Sequence, residues 1–170
     1  MILIETARLQ MREFTPDDLD AVYEFAANSD VSKYTGDAGR VKNRDDAATI
    51  IKDVWMADYA QYGYGRYALI HKSDKKVIGF CGVKFEKKLN GTDLGYRLLP
   101  GYWGKGLAFE AATAMMDYAQ KELGLTRILA DAVDENVASN KILVRLGFNK
   151  VKSVTELGVT SHYYESVIDS

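Results

Sequence analysis

The 170-residue chain contains 47% hydrophobic and 27% charged residues, which is typical of a globular protein and excludes disordered and fibrous classes. Its formal net charge is −2 and no basic stripe appears, so nucleic acid is not an expected partner. The length suits one domain with a substantial core, and we expect residues 1–170 to form a single domain.

The cysteine content and the apolar runs bear on the cellular compartment. Cys81, the single cysteine, lies in the apolar run VIGFCGV, which predicts a core residue rather than a reactive thiol. The opening MILIETARLQ has too short an apolar run for a signal peptide, and no stretch approaches the length of a membrane span. We therefore expect a cytoplasmic protein without a membrane partner, either a monomer or a homodimer.

Alternating strand and helix patterns predict a mixed α/β fold (an α+β mixed sheet) in the order β-α-α-β-β-β-α-β-α-β-β. Strands are predicted at 6–13, 65–71, 76–85, 93–99, 125–133, 148–155 and 160–168. Helices are predicted after Thr15 and at 44–62, 107–123 and 136–146, with a short helical turn at 29–36 and a loop at 36–43. Thr15, Pro16 and Asp18 have the spacing of a capping box. In the last helix, Ala138 and Leu143 are expected to face the core, and Gly147 to end the helix.

The stretch LGYRLLPGYWGKGLA, residues 94–108, predicts a strand that stops at Pro100, a glycine turn and the first turn of a helix. Gly104 and Gly106 on either side of Lys105 allow the backbone to approach a ligand closely. N–H groups and the helix dipole favour an anion there, so this turn is expected to hold a pyrophosphate.

Two nucleotide-binding motifs fail at specific residues of this turn. A Rossmann fingerprint needs a small residue where Phe109 stands. A Walker A loop needs Ser or Thr after the lysine, where Gly106 stands. A tight connection with no ligand remains the alternative for a Gly-x-Gly alone.

Residues 93–148 resemble the GNAT N-acetyltransferases, in particular the RimJ/RimL-like branch that acetylates ribosomal proteins. The order and spacing of the motifs in this segment carry the resemblance. The resemblance extends more weakly to TARLQMREFTPDDLD and to VIGFCGV. The Gln/Arg-x-x-Gly-x-Gly/Ala loop of that family falls on 103–108, where Trp103 replaces the usual Gln or Arg.

The resemblance implies a binding site for acetyl-CoA, with CoA as the product. It implies that the pyrophosphate lies against the loop of Trp103, Gly104, Lys105, Gly106, Leu107 and Ala108. The main chain of Leu98 and Leu99 would pair with the pantetheine arm, and a backbone N–H there would meet the oxyanion. Asn136 matches a family asparagine that contacts the cofactor, although it is equally a preferred helix N-cap.

The resemblance also implies candidate catalytic groups. Asp93 stands where the family often carries a general base, with Glu86 as a second candidate, although Asp93 also suits a plain surface acid at a strand edge. Many relatives protonate the leaving thiolate with a tyrosine, but Leu143 occupies that position here. Ser139 lies where this branch can use a serine, and Tyr96 is a further hydroxyl candidate. No histidine grouping indicates a metal site.

The acceptor is expected to be a primary amine, either a small molecule or a protein N-terminus. It would enter between the first two helices, the connection at 86–91 and the final hairpin. Aromatic and histidine side chains that could line this cleft, if they are not core residues, are Tyr34, Trp55, Tyr62, Tyr64, His162 and Tyr163. The main hypothesis is therefore an acetyl-CoA-dependent N-acetyltransferase, and the alternative is a non-catalytic acyl-CoA-binding or sensing module.

Overall fold

The computed structural model describes residues 1–35 and 39–168. Its centre is an eight-stranded sheet with the strand order β1-β2-β3-β4-β5-β6-β8-β7. The strands are β1 (Ile4–Glu5), β2 (Leu9–Arg12), β3 (Arg66–His71), β4 (Lys76–Glu86), β5 (Gly91–Leu98), β6 (Arg127–Val133), β7 (Asn149–Glu156) and β8 (Val159–Val167). The helices are α1 (Leu19–Ala26), α2 (Arg44–Thr49), α3 (Ala57–Tyr62), α4 (Leu107–Lys121) and α5 (Val137–Arg145). The predicted mixed α/β fold is confirmed, and in the described ranges no helix is long and apolar enough to cross a membrane.

The N-terminal strand is shorter than the sequence predicts, and an extra strand precedes it. The predicted strand at 6–13 is reduced to β2, because Thr6 closes a turn on Leu9 through two hydrogen bonds. The turn lets β1 pair antiparallel with β2, with Ile4 opposite Met11. The capping box that begins the next helix is confirmed, since the side chains of Thr15 and Asp18 both accept hydrogen bonds from its backbone N–H groups.

The predicted helix at 44–62 contains a π-helical segment, Ile50–Met56, between α2 and α3. Residues four apart lie on one face of a helix, and Ala47, Ile51 and Trp55 are buried in succession along it. The described part of the predicted helical turn at 29–36 consists of hydrogen-bonded turns, among them the helix-like bond from the N–H of Ser32 to the carbonyl of Asn28 at 3.3 Å, and it does not extend into a helix. Residues 36–38, at the start of the predicted loop, lie outside the described residues.

Two hydrophobic layers cover different parts of the sheet. The layer under α4 and α5 contains Ala111, Ala112, Met115 and Ala119, and the small residues let α4 lie close to the sheet. Ala138 was expected in this layer, but it is exposed, because Leu143 sets the side of α5 that meets the sheet.

The second layer lies under α1–α3, on the other face of the sheet. Phe14, Phe25, Trp55 and Phe80 form its centre, and the rings of Phe14 and Trp55 stack with centroids 4.3 Å apart. Trp55 is therefore a core residue, as most aromatic residues at such positions are. The strand residues of this second layer come from the strands up to β4 and from the end of β5. The second layer therefore does not cover β6, whose face on the side of α1–α3 is open.

Cys81 is fully buried in the layer under α4 and α5, and burial raises the pKa of its thiol to about 12. The predicted core role of Cys81 is confirmed. A thiol that remains protonated in the core is a poor nucleophile.

Gly79 lets β4 approach the end of β5 more closely than any other residue could. A Cβ at this position would lie 1.8 Å from the carbonyl oxygen of Arg97, which is a backbone atom that cannot move alone. Gly79 thereby sets the course of β5 at Leu98, its register partner.

We expect Gly79→Ala to lower the free energy of unfolding by about 3 kcal/mol, because the added methyl must push two strands apart. Urea denaturation measures the effect, and Gly101→Ala is the matched control. A Cβ at Gly101 meets no atom within 4 Å, so that variant should stay within about 0.5 kcal/mol of the wild type. Equal stability of the two variants would contradict the account of Gly79.

Candidate active site

The sheet opens between β5 and β6. These parallel neighbours share a single register pair, Asp93 with Leu129, whereas β5 pairs with β4 along its whole length. Beyond Asp93, the outer edge of β5 has no strand partner in the described part of the chain. A groove with a free strand edge can pair with an extended ligand through main-chain hydrogen bonds.

The main chain of Leu98 faces this groove. The N–H of Leu99 donates to the carbonyl of Ile78 at 2.8 Å, which makes Leu98 and Gly79 a non-hydrogen-bonded pair of the antiparallel ladder. The N–H and C=O of Leu98 therefore point away from β4, into the opening. Leu99, in contrast, uses its N–H within the protein.

The glycine turn runs from the end of β5 into α4. Gly104 and Gly106 have φ values of 73° and 78°, in the left-handed region that favours glycine. Gly106 is the N-cap of α4 and no side chain caps the helix, whose first internal hydrogen bond runs from Glu110 to Gly106. The N–H groups of residues 107–109 are thus unused by the helix, which leaves positive potential at its start.

The side chains of the turn point in different directions. The Trp103 indole donates to the carbonyl of Leu98 at 2.8 Å and is half exposed. The Lys105 ammonium lies 5.7 Å from the ring centroid of Tyr102. Leu107 is buried beneath the sheet and Ala108 is half-buried, so these two residues can offer a ligand mainly their backbone N–H groups.

Asn136 and Ser139 stand at the start of α5, on the other side of the opening. Asn136 is the N-cap, and its side-chain oxygen accepts the N–H of Ser139 at 3.2 Å, which confirms the capping role that the sequence suggested. The hydroxyl of Ser139 lies 2.9 Å from that of Tyr96 on β5. This hydrogen bond joins the two walls of the groove where β5 and β6 have separated.

Tyr96 is the hydroxyl for which the sequence offered no positional argument. Burial raises its pKa to about 12, against the opposing effect of the hydrogen bond with Ser139. Tyr96 therefore stays protonated at neutral pH and can always donate a hydrogen bond. The alternation of residues along β5 predicts that Tyr96 shares one face of the strand with Leu94 and Leu98, but only the fold brings Tyr96 to Ser139.

Asp93 is held by an arginine. Its carboxylate lies 3.0 Å from the guanidinium of Arg66, which also donates to the carbonyls of Gly82 and Asp93. Both side chains are largely buried. Gly95 provides the space, because a Cβ there would lie 2.8 Å from the guanidinium carbon. The long sequence separation of Arg66 from Asp93 concealed this pair.

A second carboxylate, Asp131 on β6, was not foreseen. It lines a cavity of about 170 Å³ together with Asp93, Tyr163 and Glu165. Asp131 is an exposed residue, but partial desolvation of its carboxylate by the groups around it raises its pKa above the ordinary value. The negative charge of Asp93 raises it further, while Arg66 opposes.

The other residues considered for the acceptor cleft are dispersed. Tyr163 lines the cavity, with the ammonium of Lys152 5.2 Å from its ring centroid. Tyr64 bonds Thr92 through its hydroxyl, and His162 bonds Asp134 and Ser153. Within the described residues, no group of His, Cys, Asp and Glu side chains has the arrangement of a metal site.

Comparison with known proteins agrees on one family. The model of the acetyltransferase (GNAT) domain family matches residues 8–149. An uncharacterised N-acetyltransferase of Bacillus licheniformis, p20, is 33% identical over 153 residues, which are 88% of this chain and 84% of that protein. The ribosomal protein uS5-alanine N-acetyltransferase of Escherichia coli is 35% identical over 88 residues, which are 49% of this chain and 44% of that enzyme. The structure of RimL, a ribosomal-protein acetyltransferase in complex with coenzyme A, is similar in fold, with a TM-score of 0.83, 16% identity and 99% of each chain covered.

Proposed function

The chain belongs to the GNAT acetyltransferase family, and from that membership we propose that it transfers the acetyl group of acetyl-CoA to a primary amine, either a protein N-terminus or a small molecule. The observation that carries this proposal is the groove between β5 and β6, which ends at the uncapped start of α4. It combines a free strand edge with an anion site, and an acyl-CoA has the matching extended arm and pyrophosphate.

The residues around the groove fit such a donor. Left-handed Gly104 and Gly106 free the N–H groups from 104 to 108, at a place where a Cβ on Gly104 would meet no atom within 4 Å. The pantetheine arm would lie along Leu98, whose C=O accepts the indole N–H of Trp103, and this indole would mark the boundary between the arm and the pyrophosphate. Leu99, Lys105 and Asn136 complete the proposed contacts.

The leaving group needs a proton when the carbon–sulfur bond breaks. The thioester of the bound donor supplies the activated acetyl group. Ser139 would give its hydroxyl proton to the departing sulfur, which is the role that Leu143 cannot fill, while Tyr96 donates a hydrogen bond to the serine oxygen. The N–H of Leu98 is the donor best directed at the oxyanion, since the N–H of Leu99 is occupied by Ile78.

The amine must lose a proton as its nitrogen bonds to the acetyl carbon. We assign proton uptake to the face that carries Asp93 and Asp131. Asp93 pairs with Arg66, and its negative charge acts on Asp131 and raises the pKa of that residue. Asp131, with its raised pKa, is the group to which we assign acceptance of the proton. A primary ammonium is attracted to the same face by these carboxylates.

We expect the activity of the wild type to rise with pH as Asp131 loses its proton, and Asp131→Asn to abolish this limb of the profile. Asp93→Asn should move the limb to lower pH, because it removes the negative charge that raises the pKa of Asp131 and leaves Arg66 unpaired. Glu86→Gln, the matched control, should move it less in the same direction, since Glu86 is the weakest of the three charges acting on Asp131. A pH–rate profile of Asp131→Asn identical to that of the wild type would contradict the assignment.

Calorimetry with CoA and acetyl-CoA, followed by a thiol-release assay over an amine panel, tests the proposed function. The panel should contain peptides with free N-termini, polyamines and aminoglycosides. Binding of both cofactor forms together with amine-dependent thiol release is expected. Binding without turnover on any amine would contradict the proposal in favour of a non-catalytic acyl-CoA-binding protein, and failure to bind would contradict both.

A further inference from the structure

Arg8 reaches the glycine turn from the far end of the sequence. It lies in the turn between β1 and β2, yet its Nη1 donates to the carbonyl of Lys105 at 2.9 Å. Its Nε pairs with Oε1 of Glu110 at 2.8 Å, and its backbone N–H donates to Oε2 of the same carboxylate at 3.0 Å. Thr6 adds a hydroxyl donor to Oε2 at 2.6 Å.

These contacts affect both the charge and the shape of the turn. Glu110 belongs to the first turn of α4, so its carboxylate would repel an anion at the helix start. Burial acts to raise the pKa of Glu110, but the hydrogen bonds from Thr6 and Arg8 hold it below the ordinary value, and the guanidinium neutralises the resulting charge. The bond to Lys105 turns that carbonyl towards Arg8 and away from a ligand.

Arg8 also supplies a guanidinium group, which the turn itself lacks. Trp103 is uncharged, and its indole N–H donates to the carbonyl of Leu98. Position 103 therefore offers a ligand no cation. The third nitrogen of Arg8, Nη2, has no hydrogen-bond acceptor within residues 1–35 and 39–168. It lies 3.6 Å from the point where a Cβ of Gly106 would stand, at the side of the uncapped N–H groups.

We propose that Arg8 is a positioning residue for the diphosphate of the acyl-CoA donor. The inference rests on the proposed function, since it assumes that an acyl-CoA occupies the groove. Arg8 neutralises Glu110, fixes the carbonyl of Lys105, and leaves Nη2 to donate to a phosphate oxygen. Guanidinium groups suit this task because they can donate to several acceptors at once in one plane.

Binding of CoA and of pantetheine, which lacks the diphosphate, tests this inference by calorimetry. We expect Arg8→Ala to raise the Kd for CoA about tenfold, as for the loss of one hydrogen bond to a charged group, and to leave the Kd for pantetheine unchanged. The matched control is Glu110→Gln, which breaks the same ion pair but keeps the cation, and its Kd for CoA should stay within about twofold of the wild type.

An equal loss of CoA and pantetheine affinity in Arg8→Ala, or no loss, would overturn the proposal. A loss in Glu110→Gln as large as that in Arg8→Ala would also overturn it, because the ion pair of Arg8 with Glu110 would then be purely structural. A wild type that binds no CoA would overturn both this inference and the proposed function. A wild type that binds CoA through Arg8 but acetylates no amine would overturn the proposed function alone.

Discussion

Replacement of Ser139 by alanine is expected to lower kcat about 100-fold and to leave the KM for acetyl-CoA within about twofold, because a general acid acts only as the leaving group departs. The structural basis is the 2.9 Å contact of its hydroxyl with that of Tyr96, across the groove. The N-cap bond of Asn136 to the backbone N–H of Ser139 survives the substitution, so the start of α5 should be preserved. Steady-state kinetics of thiol release measure the effect.

Tyr96→Phe provides the control for this assignment. It removes only the hydroxyl that orients Ser139, so kcat should fall about tenfold, the value of one hydrogen bond. If the two hydroxyls act as a unit, the double variant should be no slower than Ser139→Ala alone. Wild-type turnover in Ser139→Ala would return this serine to a plain helix-start residue.

Gly106→Val is expected to weaken binding of acetyl-CoA about 100-fold. The residue has φ of 78°, and a β-branched side chain there costs about 1–2 kcal/mol in strain, which the turn relieves by moving its N–H groups out of position. The added Cβ would lie in van der Waals contact with Nη2 of Arg8, at 3.6 Å. Calorimetry with acetyl-CoA measures the loss.

Gly101→Ala is again the matched control, because it adds a methyl group to the same connection without a positive φ and without a close neighbour. Its affinity for acetyl-CoA should equal that of the wild type. Equal affinities of Gly106→Val and the wild type would remove the pyrophosphate from this turn.

Local signals predicted the scaffold of the site well. The strand, turn and helix of residues 94–108 follow from Pro100, the glycines and the helical pattern beyond them, and the capping roles of Thr15 and Asn136 follow from residue type and spacing. Such features depend on neighbours in the sequence. They were therefore visible before the fold was known.

The groups to which we assign the charge and the chemistry of the site are joined over long sequence distances. Arg66 and Asp93 are 27 residues apart, Tyr96 and Ser139 are 43 apart, and Arg8 reaches Lys105 over 97 residues. No periodicity or motif spacing records such pairs, since they arise only when the sheet aligns its strands. The π-helical segment escaped prediction for a different reason, because its residues also fit an ordinary helix.

A crystal structure of the protein with CoA tests the central claim most directly. We expect the pyrophosphate to accept hydrogen bonds from the N–H groups between Gly104 and Ala108. The pantetheine arm should lie along Leu98 between β5 and β6, with its sulfur next to Ser139. CoA bound elsewhere, with the groove closed and these N–H groups free, would contradict the account.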